Sequence, residues 1–307
     1  DMLTQTISGA SAPTANRGGT NPQQVGLGMK IGGIDVLQSQ GSLVFVSDKT
    51  GPEKLKTEAQ VLRELGIAHE LGGHSDRVYD CSLIVISPGV PSNAPVLLEA
   101  RARALNVVSE VEVASWFCRS PIIAITGSNG KTTTITLIGR ILGDAKKKHA
   151  VAGNIGTAFS SVVLELAPPD LAVLEISSFQ LDHCETFRPR ISAIMNITQN
   201  HMDRYDHSME KYAGSKARIF MNQKSDDALI YDADDEQTVK VVQSARCRRI
   251  PFSIRQRLTE GAYVEDGTLV TALEGKRIDV INVNDISIKG PHNLYNAMAA
   301  SLVGQLT

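Results

Sequence analysis

The chain has 307 residues, 42% hydrophobic and 21% charged, with a formal net charge of −2; that is room for two domains with apolar cores and excludes a compositionally disordered chain. Its basic residues are scattered, which argues against a nucleic-acid partner, where a basic face is needed. Cys81, Cys118, Cys184 and Cys247 lie far apart, no segment reaches the roughly 18 consecutive apolar residues of a membrane span, and no basic n-region precedes an apolar stretch, so we expect reduced thiols, no zinc site, no membrane partner and a cytoplasmic location.

Residues 1–22 are rich in Ser, Thr, Gly, Asn and Pro with no apolar periodicity, and read as a loose segment. "VGLGMKIGGIDVL" (25–37) carries glycines at 26, 28, 32 and 33 and precedes the strand pattern "SLVFVSD" (42–48). It resembles the remnant of a dinucleotide-type turn with Asp48 at a strand's carboxyl end, although "TNPQQ" stands where the strand before Gly26 belongs. A helix pattern at 53–65, a strand "SLIVIS" (82–87), the turn "PGVP" and a helix "APVLLEARARAL" (94–105) continue a β-α alternation. "EVEVASWF" (110–117) leads to Cys118–Pro121, read as a hinge between a domain over 23–119 and another over 120–307.

The second domain opens on "IIAITGSNGKTTT" (122–134), a strand, a glycine turn and a helix from Lys131 to Leu142. That context suits a phosphate-binding loop. Gly127 and Gly130 let the backbone turn toward an anion, the helix start adds positive potential, Lys131 reaches between β- and γ-phosphates, and Thr132 offers a hydroxyl to Mg²⁺. Only two residues separate the first glycine from the Gly-Lys pair, a shorter loop than small GTPases use.

Further strands are placed at 148–152, 171–176, 192–197 and 227–231, and the intervening helices predict a doubly wound parallel sheet. Glu175, in "LAVLEISSFQL" (171–181), falls at the strand edge where such sheets hold ligands; alone it is either an exposed strand-end carboxylate or a Mg²⁺ ligand. His201, past the strand "ISAIMNI" in "TQNHMDRY", is either a surface histidine or a third group on that edge. Lys216, in "YAGSKARIF", reads by itself as a solvated helix lysine. From 248 to 289 the pattern turns to short β segments ("IPFSI", "AYVE", "GTLVTAL", "RIDVINV", "ISIKG"), a small β extension, before the helix "HNLYNAMAASLVG" (292–304).

Taken together, "GSNGKTTT", "AGNIG" (152–156), "LEISSFQL", "NITQNHMDRY", a lysine fifteen residues after the histidine and "GPHNLYNAMAA" resemble the Mur ligase family from about Val25 to Gly304. "SSFQL" points to the D-glutamate-adding branch. The resemblance implies an N-terminal Rossmann-like domain that binds a UDP-sugar, then a P-loop ATPase domain. It implies ATP-dependent amide formation in peptidoglycan-precursor synthesis, with UDP-N-acetylmuramoyl-L-alanine and D-glutamate as small-molecule substrates, through an acyl phosphate, in a monomer. Residue by residue, Gly127, Ser128, Asn129, Gly130, Lys131, Thr132 and Thr133 would hold the ATP phosphates. Thr132 and Glu175 would ligate one Mg²⁺, and His201 and a carbamylated Lys216 a second. Asn154, Ser177 and Gln180 match muramoyl contacts, Asn293 and Asn296 adenine contacts, and Ser47, Asp48, Lys49 and Ser87 uridine and diphosphate contacts. Asn200 replaces the acidic residue usual before the histidine. Family members carry a third, amino-acid-binding domain, and the chain stops at Thr307. We therefore expect residues 1–307 to bind nucleotide but form no D-glutamyl product. The alternatives are a non-catalytic nucleotide and UDP-sugar module, another amino-acid-adding Mur ligase, or a different P-loop enzyme such as a kinase.

Overall fold

The computed structural model describes residues 4–8, 24–27, 41–87 and 89–307, the first two stretches by their backbone. By contact density the chain divides into two compact units: Asp1–Cys118 with Thr157–Glu165 and Asp182–Phe187, and Arg119–Gly156 with Leu166–Leu181 and Arg188–Thr307.

In the first unit the elements are β1 (Thr4–Ser8), β2 (Gln24–Leu27), β3 (Leu43–Asp48), α1 (Lys56–Glu64), β4 (Ala68–Leu71), β5 (Leu83–Ile86), α2 (Pro95–Ala102), β6 (Asn106–Ser109) and α3 (Glu110–Phe117). They form a six-stranded sheet in the order β4-β3-β1-β2-β5-β6. The β3–β4, β2–β5 and β5–β6 pairs are parallel, and β1 runs antiparallel to its neighbours. Two expectations change here. The segment read as loose contributes β1, because paired backbone needs no apolar alternation when both neighbours supply the ladder. The strand sought before Gly26 runs through it instead, as Gln24–Leu27, with Gly26 opposite Ile84. Gly28, Gly32 and Gly33 lie outside the described residues.

Strands β3, β5 and β6 bury side chains on both faces of the sheet, as apolar runs require. Phe45, Ile84 and Ile86 pack with Val96, Leu97 and Ala100 of α2, while Leu83, Val85 and Val108 pack with Val113 of α3. Glu112 of α3 is fully buried yet well solvated by protein: its carboxylate accepts from the Thr186 and Phe187 amides at 2.7 and 2.9 Å, the Thr186 hydroxyl and the Trp116 indole. This anchors segment 182–187 in the first unit.

The second unit contains β7 (Ile122–Thr126), α4 (Lys131–Asp144), β8 (His149–Gly153), β9 (Leu171–Glu175), α5 (Ser178–Leu181), β10 (Ile191–Ile194), α6 (Met209–Ala217), β11 (Ala228–Asp232), α7 (Glu236–Val242), β12 (Arg248–Ser253), β13 (Gly261–Glu265), β14 (Thr268–Leu273), β15 (Lys276–Asn282) and α8 (Pro291–Leu306). Its nine-stranded sheet has the order β15-β14-β13-β12-β11-β10-β7-β9-β8. From β8 to β13 the strands are parallel; β14 and β15 close one edge antiparallel. "ISIKG" forms no strand: a short helical turn at Val283–Asp285 precedes it, and Ile286 and Ile288 pack on the core instead. Helices α4 and α8 bury Ile135, Ile138 and Leu142 with Met298, Leu302 and Val303 in that core.

Successive connections leave β7 first toward β9 and β8, then cross to β10. The carboxyl end of β7 is thus a topological switch point, where a crevice opens in sheets of this kind. The loops after β7, β9 and β10 surround it.

Candidate functional site

The loop between β7 and α4 is shaped by two glycines. Gly127 has φ +154°, and a Cβ on it would lie 2.9 Å from the Met195 Cβ. Gly130 has φ +84°, and a Cβ there would overlap the Asn296 Oδ1. A side chain at either position is barred by strain or by space. Helix α4 starts at Lys131, so the amides of its first turn have no partner within the helix and face the loop's concave side. The amides of Ser128 and Asn129 are already taken, by the carbonyl and side-chain oxygen of Asn196 at 2.9 Å each. The backbone donors left without a partner are therefore those of the helix start rather than of the whole loop.

Lys131 folds back over the loop, donating to the Gly127 and Ser128 carbonyls at 3.0 and 3.3 Å. Burial pushes its ammonium below its ordinary pKa, against the pull of Glu175. Thr132 donates its hydroxyl to Glu175 Oε2 at 2.7 Å, and Asn154 donates to Oε1 at 3.0 Å. Glu175 is fully buried. Of the two readings open for this residue, exposed end or ligand, the structure removes the first. A buried carboxylate beside a threonine hydroxyl is an oxygen donor pair of the kind Mg²⁺ selects.

His201 stands seven residues beyond Ile194, because β10 ends earlier than expected so that Asn196 can turn to hold the loop. It is exposed, in the left-handed region at φ +51°. Lys216 is 2% exposed, which overturns its reading as a solvated lysine: α6 points it inward, its ammonium 4.5 Å from the centre of the Tyr212 ring. Among the described residues no three His, Cys, Asp or Glu gather as a metal site.

Asn129, Gly130, Thr133, Asn196, His292, Asn293, Tyr295 and Asn296 line a cleft of about 580 Å³. Asn296 is buried; Thr134 donates to its oxygen at 3.2 Å, and its amide donates to Asn293 at 3.1 Å. After β9, Ser177 donates its amide and hydroxyl to Gln180 Oε1 at 2.9 and 3.0 Å.

In the first unit Ser47, Asp48, Lys49 and Ser87 lie at the carboxyl ends of β3 and β5. The Asp48 Oδ2 is buried without a hydrogen-bond partner among the described residues, a carboxylate oxygen suited to a ligand N–H or O–H. Ser47 Oγ meets Glu70 and His74 Nδ1, both at 2.7 Å. Burial lowers the His74 pKa, opposed by the charges of Glu70 and Asp48.

Asn196, Tyr212 and Tyr295 were not singled out from sequence. Asn196 follows an apolar strand on the ligand edge, and Tyr212 sits four residues before Lys216, one turn away on the same helix face; both signals were present. Among the described residues Cys81, Cys118, Cys184 and Cys247 form no disulfide, and no helix is long and apolar enough to cross a membrane.

Comparison with known proteins agrees with this fold. The profile of the Mur ligase middle domain matches residues 125–304, and that of the MurD N-terminal domain residues 33–96. A UDP-N-acetylmuramoylalanine--D-glutamate ligase of Koribacter versatilis is 44% identical over 284 residues, 91% of this chain and 62% of that protein. One of Salinibacter ruber is 40% identical over 276 residues, 87% of this chain and 60% of that protein. The chain thus spans about 60% of the length of the curated relatives it matches. Among solved structures, the UDP-N-acetylmuramate:L-alanyl-gamma-D-glutamyl-meso-diaminopimelate ligase of Neisseria meningitides aligns with a TM-score of 0.51 and 18% identity, over 80% of this chain and 81% of that one, a likeness of fold. With more than half its residues matched by one family profile, and a glycine turn at the sheet's switch point within the matched region, the chain belongs to the Mur ligase family.

Proposed function

We propose that the chain carries the UDP-sugar- and ATP-binding parts of an ATP-dependent ligase that joins D-glutamate to UDP-N-acetylmuramoyl-L-alanine. The observation that carries this reading is the hydrogen bond from the exposed Thr132 hydroxyl to the fully buried Glu175 carboxylate at the foot of the glycine turn, on a chain whose relatives bear that activity in their names.

In this reading the first unit holds the UDP-sugar through Ser47, Asp48, Lys49 and Ser87, and Asn154, Ser177 and Gln180 hold the muramoyl part. The base of ATP lies in the cleft beside Asn293 and Asn296. Gly127–Thr133 cradles the phosphates, with the amides at the start of α4 as anion donors. The L-alanyl carboxylate attacks the γ-phosphate, ADP leaves, and the amine of D-glutamate then displaces phosphate from the acyl phosphate. Lys131 neutralises charge on the transferring phosphoryl group, where positioning and electrostatics supply most of the catalysis.

Thr132 and Glu175 fit one Mg²⁺, which when bound would neutralise phosphate charge. His201 and Lys216 fit a second only if Lys216 is carbamylated, because an ammonium has no lone pair to offer.

Calorimetry tests the reading. We expect the chain to bind Mg-ATP and UDP-N-acetylmuramoyl-L-alanine, and to prefer the latter over the same nucleotide already extended by D-glutamate. Equal affinity for the two UDP-sugars would assign it to another amino-acid-adding branch, and failure to bind nucleotide would refute the ligase reading.

A further inference from the structure

One buried tyrosine touches both the phosphate loop and the lysine expected at the second ion. Tyr212 is 1% exposed on α6. Its hydroxyl lies 3.0 Å from Ser128 Oγ in the loop. Ser128 has one hydroxyl proton, which it gives to the Thr198 carbonyl at 2.8 Å, while its lone pairs take the Thr198 amide at 3.0 Å and Tyr212. By proton count Tyr212 is the donor. One helical turn on, the Lys216 ammonium sits 4.5 Å from the centre of the same ring, within cation–π range.

The ring is itself held. Tyr205 packs against it at 5.2 Å, its hydroxyl 3.2 Å from Ser215, which donates to the Ser178 carbonyl at 2.9 Å. Phe179 stacks on Tyr205 at 6.0 Å and meets the His201 ring edge-on at 5.1 Å. A continuous aromatic row therefore runs from His201 to Lys216, and only Tyr212 in it also bonds the loop among the contacts described.

We propose that Tyr212 is a positioning residue that couples the phosphate loop to Lys216, its hydroxyl fixing Ser128 and its ring fixing the lysine. The proposal rests on the nucleotide reading above. If one side chain fixes both, the two functions separate by chemistry. Tyr212→Phe loses the loop bond and keeps the ring, whereas Tyr212→Leu loses both.

The experiment pairs Mg-ADP calorimetry on the 307-residue chain with reductive methylation by ¹³C-formaldehyde, both in bicarbonate-free, degassed buffer so that Lys216 carries no carbamate, the Lys216 signal being assigned with Lys216→Arg. Tyr212→Phe should bind Mg-ADP roughly three- to tenfold more weakly, the loss of one neutral hydrogen bond, with Lys216 methylated as slowly as in the wild type. Tyr212→Leu should weaken Mg-ADP binding and also expose Lys216 to fast methylation; Tyr212→Met replaces it should the leucine variant not fold. Unchanged Mg-ADP affinity in Tyr212→Phe, faster Lys216 methylation in that variant, or slow methylation once the ring is gone overturns the coupling. A wild-type chain that does not bind Mg-ADP overturns the nucleotide reading and the coupling with it; wild-type binding matched by Tyr212→Phe overturns the coupling alone.

Discussion

Gly130→Ala is the substitution whose cost can be worked from geometry. Two terms add. The first is backbone: at φ +84° an L-residue sits in the left-handed region, at roughly 1–2 kcal/mol. The second is steric, because the new Cβ overlaps the Asn296 Oδ1. That amide cannot move freely. It is 3% exposed and bonded to Thr134 and Asn293, so displacing it forfeits one or two hydrogen bonds of about 1 kcal/mol each. The sum is about 2–4 kcal/mol. Gly267→Ala is the control, since Gly267 has φ +71° and open space around it in the same unit, and should show the backbone term alone. Urea unfolding of both variants at one pH gives the difference, and Mg-ADP calorimetry should show weaker binding for Gly130→Ala only, because Asn293 and Asn296 line the cleft. Equal destabilisation of the two variants, with Mg-ADP affinity unchanged in both, would refute the contact and the cleft assignment together.

Lys131→Ala should abolish detectable Mg-ATP binding while far-UV circular dichroism stays unchanged; retained affinity would remove the phosphate-loop reading. Under ¹³C-bicarbonate, a carbamate carbonyl signal should appear in the ¹³C spectrum of the wild-type chain and vanish in Lys216→Arg, and its absence from both would leave the second ion without its ligand. Glu112→Ala strands the amide of the buried Phe187, at about 1–3 kcal/mol, and leaves that of the exposed Thr186 to water, so the urea midpoint of the first unit should fall with little effect on Mg-ADP binding; an unchanged midpoint would contradict it. Asp232 has its carboxyl raised to about 7 by burial, with Asp234 and Asp235 adding to the rise. Its folded pKa lies above its ordinary value of 3.8, so its stabilising contribution is full below that value and is lost as pH rises toward 7. Asp232→Asn should therefore unfold at higher urea than the wild type at pH 8 and at the same urea near pH 4; a constant difference across that range would show that Asp232 does not titrate there.

Local chemistry was enough to expose much of this molecule. An apolar strand, a glycine turn and a helix start adjoin in the chain between 122 and 144, so "IIAITGSNGKTTT" carries its own loop geometry and the donors for an anion. The alternation of apolar runs and amphipathic helices likewise forces a parallel sheet, and with it a ligand edge on which Glu175 must fall. What distant contacts control was beyond reach. Lys216 reads as solvated until α6 packs it under Tyr212, because burial of a helix face depends on what lies against it. Asn196, Asn296 and Tyr212 shape a loop 67, 166 and 84 residues from the positions they contact, and spacing along a chain carries no distance of that kind. The strand at Thr4–Ser8 was hidden for the same reason: its backbone pairs with strands that lie about 20 to 40 residues further along the chain.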